Sequence, residues 1–216
     1  MKNYFILLLL ILTSVIAYAQ TTQTYTFKIE GMSCDACANT ATKTLQGIKG
    51  VDSVNVSFDT KIVIVKGNVT KADIKKAMKE MTNFEIIFEG DSLVKPLTNA
   101  ERKNLDIETI KGGSKIKFKE HLSSGKITIF DFYADWCAPC RVFSPKVEHF
   151  IKNNPNIALR KVDIVNWKSE ISKQLTKNYK IPALPFTLIF SAKGKFLGKV
   201  EGNNIEEVKF IVNSKN

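Results

Sequence analysis

The chain has 216 residues, of which 44% are apolar and 10% aromatic, and these values are typical of globular domains. Its net charge of +11 is concentrated in residues 91–216, where 22 basic residues outnumber 13 acidic ones. Because basic and aromatic residues do not alternate, we expect no nucleic-acid partner. We interpret the lysines as a solvated surface, although a basic domain would also suit an acidic partner or an anionic membrane surface.

Residues 1–19 have the pattern of a secretory signal peptide. Lys2 provides the positive start, the run Tyr4–Leu12 is apolar, and Ala17-Tyr18-Ala19 matches a small-residue cleavage site. The apolar run is too short to span a bilayer comfortably. We therefore expect an exported protein, periplasmic or secreted, that begins at Gln20 and has no membrane anchor after cleavage.

Residues 24–90 predict a first domain of four strands and two helices, on the basis of alternating apolar residues in the strands and helical periodicity between them. In chain order, the predicted elements span residues 25–30, 36–48, 51–58, 61–66, 70–81 and 84–88. The order βαββαβ is the ferredoxin-like arrangement, an α+β fold. Met78 and Met81 lie on the apolar face of the second helix, so we interpret them as core residues, with extra metal ligands as the alternative.

The candidate metal ligands are Cys34 and Cys37, which lie in the sequence GMSCDAC between a predicted strand and a predicted helix. Two thiolates on such a loop can hold a soft cation in near-linear coordination, and thiolates favour Cu(I). Zn(II) fits less well, because two ligands do not complete a tetrahedron. A structural disulfide is the alternative, although so short a loop would constrain the unfolded chain little.

The GMSCDAC motif resembles the metal loop of heavy-metal-associated domains, which occur in copper chaperones, metal ATPases and mercury-binding periplasmic proteins. The resemblance covers residues 24–90. It implies that Cys34 and Cys37 bind Cu(I) or another soft metal ion, without an organic cofactor. It also implies that Met32 packs beneath the loop and that Phe84 lies beside it.

Residues 91–104 are the predicted linker, with Pro96 and a polar run that predicts a short helix. Residues 105–216 predict a second domain of α/β class, because strands and helices alternate along it. Its predicted strands span residues 105–110, 127–133, 157–164, 186–190 and 195–201. Its predicted helices span residues 114–122, 138–153, 170–179 and 205–213. The continuous apolar strand at 127–133 is typical of a buried parallel sheet.

The candidate redox pair is Cys137 and Cys140, in the sequence WCAPC directly after the apolar strand. A helix N-terminus favours the thiolate form of a cysteine, so Cys137 is the predicted nucleophile. It would attack a target disulfide, and Cys140 would then attack Cys137 and release the reduced target.

The sequence DFYADWCAPC resembles the active site of the thioredoxin family, and the resemblance covers residues 105–214. Trp136 and Pro139 occupy the family positions around the two cysteines, and Pro185 matches the family's cis-proline. The resemblance implies a thioredoxin fold and protein disulfides or dithiols as substrates, with a separate electron donor.

The same resemblance implies a role for Asp131, six residues before the first cysteine of the pair. A carboxyl buried there would have a raised pKa and could exchange a proton with Cys140. Lys161 matches a family lysine that pairs with this aspartate. Ala138 replaces the glycine of classical thioredoxins, so the motif leaves the direction of catalysis open, although the proline and the aspartate favour a reductant.

These patterns together predict an exported thiol–disulfide oxidoreductase joined to a soft-metal module. Its targets would be cysteines of copper-handling proteins, with Cys34 and Cys37 of the same chain among the candidates. The alternative is a non-catalytic copper or mercury carrier whose thioredoxin-like domain only docks partners. A third hypothesis is general disulfide quality control, with the first domain as an adaptor.

Overall fold

A computed structural model describes residues 22–81 and 84–214 of the chain. The predicted signal peptide, residues 1–19, lies outside the described residues. Within them, no helix is long and apolar enough to cross a lipid bilayer.

The first domain is an antiparallel sheet of four strands covered by two helices. The strands are β1 (Gln23–Glu30), β2 (Val51–Val56), β3 (Ile62–Gly67) and β4 (Glu85–Phe88), and the helices are α1 (Asp35–Gln46) and α2 (Lys71–Lys79). The strand order in the sheet is β2-β3-β1-β4. The predicted ferredoxin-like βαββαβ fold is thus confirmed.

One face of this sheet carries the core of the first domain. In β3, Val63 and Val65 are fully buried, whereas the intervening Ile62 and Ile64 are 36% and 37% exposed. This alternation follows from the strand period of two residues. Met78 of α2 is buried in the same core, as predicted.

The second domain is a mixed sheet of five strands. Its strands are β5 (Ile107–Ile110), β6 (Ile127–Tyr133), β7 (Ile157–Asp163), β8 (Phe186–Phe190) and β9 (Phe196–Glu201). A short helix, α3 (Asn99–Arg102), precedes them, and α4 (Ala138–Lys152), α5 (Glu170–Tyr179) and α6 (Ile205–Ser214) complete the fold. The strand order is β5-β7-β6-β8-β9, with β5, β7 and β6 parallel and the other two pairings antiparallel. The predicted α/β thioredoxin fold is confirmed.

Strand β6 lies at the centre of this sheet and is covered on both faces. Ile127 and Ile129 belong to the core formed with α4 and α6, whereas Phe130 and Phe132 belong to the core formed with α5. A strand buried on both faces needs apolar side chains at nearly every position, which explains the continuous apolar run.

The helix predicted at 114–122 is wrong: the segment contains only a 3₁₀ turn, Phe118–His121. Gln174 on α5 donates to the backbone carbonyl of Ile116 and accepts from its backbone N–H, at 2.8 and 3.0 Å. Both backbone groups of Ile116 are therefore unavailable to a helix. The Phe118 ring packs edge-on to Phe130, with centroids 5.0 Å apart, and fixes this segment against the sheet.

The segment between the domains packs on α4. Thr98 and Glu101 form a reciprocal capping box at the start of α3. Glu101 also pairs with Lys152 of α4 at 2.7 Å, and His149 of α4 contacts the backbone carbonyl of Lys95 at 3.0 Å. Leu97 is only 4% exposed. The predicted linker is thus a structured segment that extends the second domain.

Candidate dithiol centre and metal loop

The dithiol centre, Cys137 and Cys140, lies where β6 is followed by α4. Cys137 is the N-cap residue of α4, and its Sγ accepts a hydrogen bond from the backbone N–H of Cys140 at 3.2 Å. The two cysteines are joined by a disulfide. Pro139 lies in the first helical turn, where a missing N–H costs nothing. A sulfur at this position faces the positive end of the helix dipole, which favours a thiolate.

Two tryptophans flank the dithiol centre. The indole N–H of Trp136 donates to the carbonyl of Val165 at 2.8 Å, and its ring lies 6.1 Å from that of Trp167. Both side chains remain almost half exposed, at 49% and 45%. Large exposed aromatic side chains beside a reactive group are suited to contact a protein partner. The sequence prediction missed Trp167. The one indication of its role was its position as a lone aromatic residue in a polar segment after a strand.

The backbone beside the dithiol centre is formed by Leu184 and Pro185. The peptide bond between them is cis, as the resemblance implies. The Pro185 carbonyl accepts a hydrogen bond from Gly202 at 2.9 Å, which ties this turn to the end of β9. Leu184 and Cys137 line one cavity, so this turn borders the reactive disulfide.

Asp131 is fully buried on β6, on the face that packs against α4. Its Oδ2 accepts a hydrogen bond from the Ser144 hydroxyl at 2.6 Å, and its Oδ1 has no partner among the described residues. Ser144 follows Cys140 by four residues, so both side chains lie on one face of α4, above the carboxyl. Burial raises the pKa of Asp131 to about 6, and the Ser144 hydrogen bond and the Lys161 charge only partly oppose this increase.

The predicted pairing of Lys161 with Asp131 needs correction. The two residues are neighbours in the register of β6 and β7, but the Lys161 ammonium binds Oε1 of Glu148 on α4 at 2.8 Å. Asp131 is hydrogen-bonded instead to Ser144, and the pKa that burial raises weakens its attraction for a cation.

Glu148 has a second cationic partner from outside the predicted domain. Arg102 of α3 donates to its Oε2 through Nε at 3.1 Å and Nη2 at 2.7 Å. A cavity of about 290 Å³ lies between these groups and is lined by Cys140, Ser144 and Lys161 among others. The cavity thus reaches both Cys140 and Ser144, the hydrogen-bond partner of Asp131. Glu148 and Arg102 carry no motif signal, so the sequence prediction missed them.

The metal loop, residues 31–37, runs from the end of β1 into the first turn of α1. Cys34 is the N-cap residue of α1, and its Sγ lies 2.9 Å from that of Cys37. Both are free cysteines, Cys34 exposed and Cys37 half-buried. Partial burial opposes ionisation of Cys37, but hydrogen bonds from the Cys34 thiol and from Ser33 outweigh it and lower the pKa of the Cys37 thiol.

Apolar side chains pack beside the metal loop. Met32 is 2% exposed and packs in the core of the first domain. Phe84 is half-buried and lines, with Cys37 and Met81, a cavity of about 250 Å³. Met81 packs against the core of the first domain, as predicted, and also borders the loop.

Two adjacent thiols form a donor set suited to a soft metal ion. Their sulfur atoms are 2.9 Å apart. In near-linear coordination the two sulfurs would be separated by two metal–thiolate bonds, about 4.6 Å, so they must move apart to bind an ion. Because Cys34 is exposed, its side chain has room to rotate away from Cys37. Within residues 22–81 and 84–214, no group of three or more His, Cys, Asp or Glu side chains is placed to hold a metal ion, so a two-thiolate site is the candidate.

Comparison with protein families separates the same two parts of the chain. Residues 26–85 match the heavy-metal-associated domain, and residues 110–213 match thioredoxin. Among solved structures, the N-terminal domain of a potential copper-translocating P-type ATPase from Bacillus subtilis is similar, with 32% identity and a TM-score of 0.30; the match covers 32% of this chain and 88% of that one.

Curated relatives match the second domain. A thioredoxin H-type from Fagopyrum esculentum is 34% identical over 92 residues, which cover 43% of this chain and 74% of the relative. Thioredoxin-1 from Saccharomyces cerevisiae is 32% identical over 93 residues, which cover 43% of this chain and 84% of the relative. The chain therefore belongs to the thioredoxin family, and its thiol–disulfide oxidoreductase domain follows a heavy-metal-associated domain.

Proposed function

We propose that this protein is an exported disulfide reductase that acts on cysteines of copper-handling proteins and binds Cu(I) through Cys34 and Cys37. Its compartment is the periplasm or the extracellular space. The observation that carries the proposal is the dithiol centre at the N-terminus of α4, above the buried carboxyl of Asp131, in a chain that also presents a free dithiol on the metal loop.

Reduction of a target begins from the dithiol form of Cys137 and Cys140. The Cys137 thiolate attacks one sulfur of the target disulfide, and the other target sulfur leaves as a thiolate. Cys140 then loses its proton and attacks the Cys137 sulfur, which releases the second target thiolate. Both electrons reach the target, and the centre returns to the disulfide found in the structure.

Asp131 is the proposed proton acceptor for Cys140. It lies beneath the face of α4 that carries Cys140 and Ser144, and its raised pKa of about 6 is near neutral pH. A general base works best when its pKa is close to the pH at which it operates. Ser144 holds the carboxyl in place, and the cavity beside Cys140 lets the proton leave.

The metal loop gives a chemical reason to join the two domains. A Cu(I) site needs deprotonated thiols, and an oxidising compartment would convert the pair into a disulfide. A tethered reductase acts at an effective concentration of about 1 mM, which would keep Cys34 and Cys37 available for metal. In the carrier alternative, the exposed tryptophans beside the dithiol centre would serve only for docking.

Disulfide reductase activity should require the dithiol centre and not the cysteines of the metal loop. We expect the full chain to catalyse insulin reduction with dithiothreitol as the electron donor, and Cys137→Ser to reduce the rate to the uncatalysed level, because no other residue forms the mixed disulfide. Cys34→Ser/Cys37→Ser is the matched control and should retain the activity. Equal rates for wild type and Cys137→Ser would favour the carrier.

Removal of the Asp131 carboxyl should make the protein more stable but less active. Between its ordinary pKa of 3.8 and the raised value of about 6, the folded state holds a proton that the unfolded state releases, so stability falls as the pH rises through this window. We therefore expect Asp131→Asn to raise the free energy of unfolding by about 2–3 kcal/mol at about pH 8, and by little below about pH 4, in denaturant titrations.

The same variant should slow insulin reduction by about tenfold or more at neutral pH and abolish an inflection in the rate near pH 6. Asp135→Asn, which removes an exposed carboxyl from the same segment, is the control. If both variants keep the inflection, Asp131 is not the proton acceptor.

Copper binding should reside in the metal loop. We expect the reduced full chain to take up a single Cu(I) ion in competition with a chromophoric chelator, and Cys34→Ser/Cys37→Ser to abolish this uptake, because both ligands are lost. Cys137→Ser/Cys140→Ser should bind normally. Uptake that survives loss of the loop cysteines would place the metal elsewhere, and a stronger preference for Hg(II) would identify a mercury-handling role.

Export should remove the N-terminal segment. Mass spectrometry of the protein from its native cells should find Gln20 as the first residue, because Ala17-Tyr18-Ala19 precedes it as a cleavage site. An intact N-terminus in a cytosolic fraction would contradict the proposed localisation.

A further inference from the structure

A cavity lies between the two cysteine pairs and is bordered by a cysteine of each. It has a volume of about 320 Å³ and is lined from both domains. The first domain contributes Ser33, Cys37 and Phe84, and the second contributes Cys137 and Leu184 among others. A thiol of the metal loop and the nucleophilic sulfur of the dithiol centre therefore border the same space.

We infer that the metal loop occupies the substrate position of the thioredoxin-like domain, and that an interdomain latch formed by Glu85, Lys146 and Asn203 holds it there. The inference rests on the proposed function, since it assigns a substrate to the same dithiol centre. It adds a specific docked state, the residues that maintain it, and the cysteine that is attacked.

The latch is a three-residue hydrogen-bonded cluster between the domains. The Lys146 ammonium donates to Oε2 of Glu85 at 2.6 Å and to Oδ1 of Asn203 at 3.2 Å. The Asn203 amide donates to the same Glu85 oxygen at 3.2 Å. The Lys146 and Glu85 side chains are 14% and 32% exposed, so solvent screens this pair less than a pair on the open surface.

The position of the latch connects it directly to both cysteine pairs. Glu85 is the first residue of β4 and follows Phe84, which lines the cavity beside Cys37. Lys146 lies on α4, the helix that begins at the dithiol centre. The cluster therefore joins a residue adjacent to the metal loop to the helix that presents Cys137.

The docked state is suited to release as well as contact. A second cavity, about 430 Å³, lies beside the latch and is lined by Glu85 and Asn203. Trp136 and Trp167 stay almost half exposed with the loop in place. Interfaces between domains of one chain permit relative motion unless they are large and hydrophobic.

The geometry selects Cys37 as the sulfur that is attacked, because Cys37 lines the shared cavity. The Cys137 thiolate attacks the Cys37 sulfur of an oxidised Cys34–Cys37 pair, and Cys34 leaves as a thiolate. Cys140 then attacks Cys137, and Cys37 leaves as a thiolate. Two electrons and two protons pass from the dithiol centre to the metal loop. The product has Cys34 and Cys37 free and Cys137 bonded to Cys140, as in the structure.

A full chain with only two cysteines tests the docked state. In Cys34→Ser/Cys140→Ser, oxidation with diamide should form a Cys37–Cys137 disulfide within one molecule, detected by intact mass and non-reducing electrophoresis. The rate should not depend on protein concentration, because the reaction is intramolecular. The Cys37–Cys137 disulfide should also form faster than the Cys34–Cys137 disulfide does in the matched variant Cys37→Ser/Cys140→Ser. Only concentration-dependent dimers, or equal rates for the two variants, would overturn the inference.

Substitutions in the latch test its role in the same background. Glu85→Gln and Lys146→Met should each slow the intramolecular cross-link by about fivefold, because the partly shielded ion pair is lost. Glu89→Gln removes an exposed carboxylate close to the end of the same strand and should leave the rate unchanged. Equal rates in all three variants would show that the latch does not hold the docked state.

Insulin reduction separates failure of this inference from failure of the proposed function. In the wild-type background, Glu85→Gln should raise the rate of insulin reduction by about fivefold, because an external substrate no longer competes with the docked loop. Cys137-dependent insulin reduction without the intramolecular cross-link would overturn the docked state and leave the reductase in place. A cross-link without insulin reduction would support the docked geometry. It would overturn the catalytic role of the dithiol centre, both in the proposed function and in this inference.

Discussion

The chemistry of the second domain depends on the burial of one carboxyl, that of Asp131, in the central strand beneath helix α4. A carboxyl at this depth resists ionisation, which explains its pKa of about 6. It requires a hydrogen-bond donor, and Ser144 on α4 supplies one. This hydrogen bond joins the strand to the face of α4 that also carries Cys140, four residues before Ser144. Burial of this carboxyl lowers the stability of the fold at neutral pH, and proton exchange with Cys140 is the role proposed for it.

A second buried carboxylate on the same helix explains why the segment between the domains is ordered. Glu148 is 1% exposed and is paired with both Lys161 and Arg102. Loss of either partner would leave a buried charge incompletely compensated, which is costly. The segment that carries Arg102 must therefore pack on α4. Through Lys146, the same helix also contacts Glu85 of the first domain.

The two cysteine pairs use one local design in two environments. In both, the first cysteine is the N-cap of a helix and the second lies in its first turn. Cys34 is exposed on a loop, where a partner can reach a bound ion. Cys137 is 3% exposed, and its helix covers the buried acid. Exposure suits ligand exchange, whereas burial beside the proposed proton acceptor suits the making and breaking of a sulfur–sulfur bond.

Features with a local or periodic cause could be predicted from the sequence. The alternation in the first domain, the apolar run of β6 and the contexts of the four cysteines predict both folds and both sites, because each follows from the geometry of a strand, a helix or a helix N-terminus. The failed helix at 114–122 and the partner of Lys161 depend instead on side chains from elements far along the chain, Gln174 and Glu148.

By itself, then, the sequence determined the two folds and the chemical class of each cysteine pair. Only the tertiary structure decided that Cys37 and Cys137 border one cavity. The ion pair that joins the domains, Glu85 with Lys146, links residues that are 61 positions apart and carry no motif. The attraction between these two charges depends on their distance in space and not on their positions along the chain. The pair therefore forms only after both domains have folded.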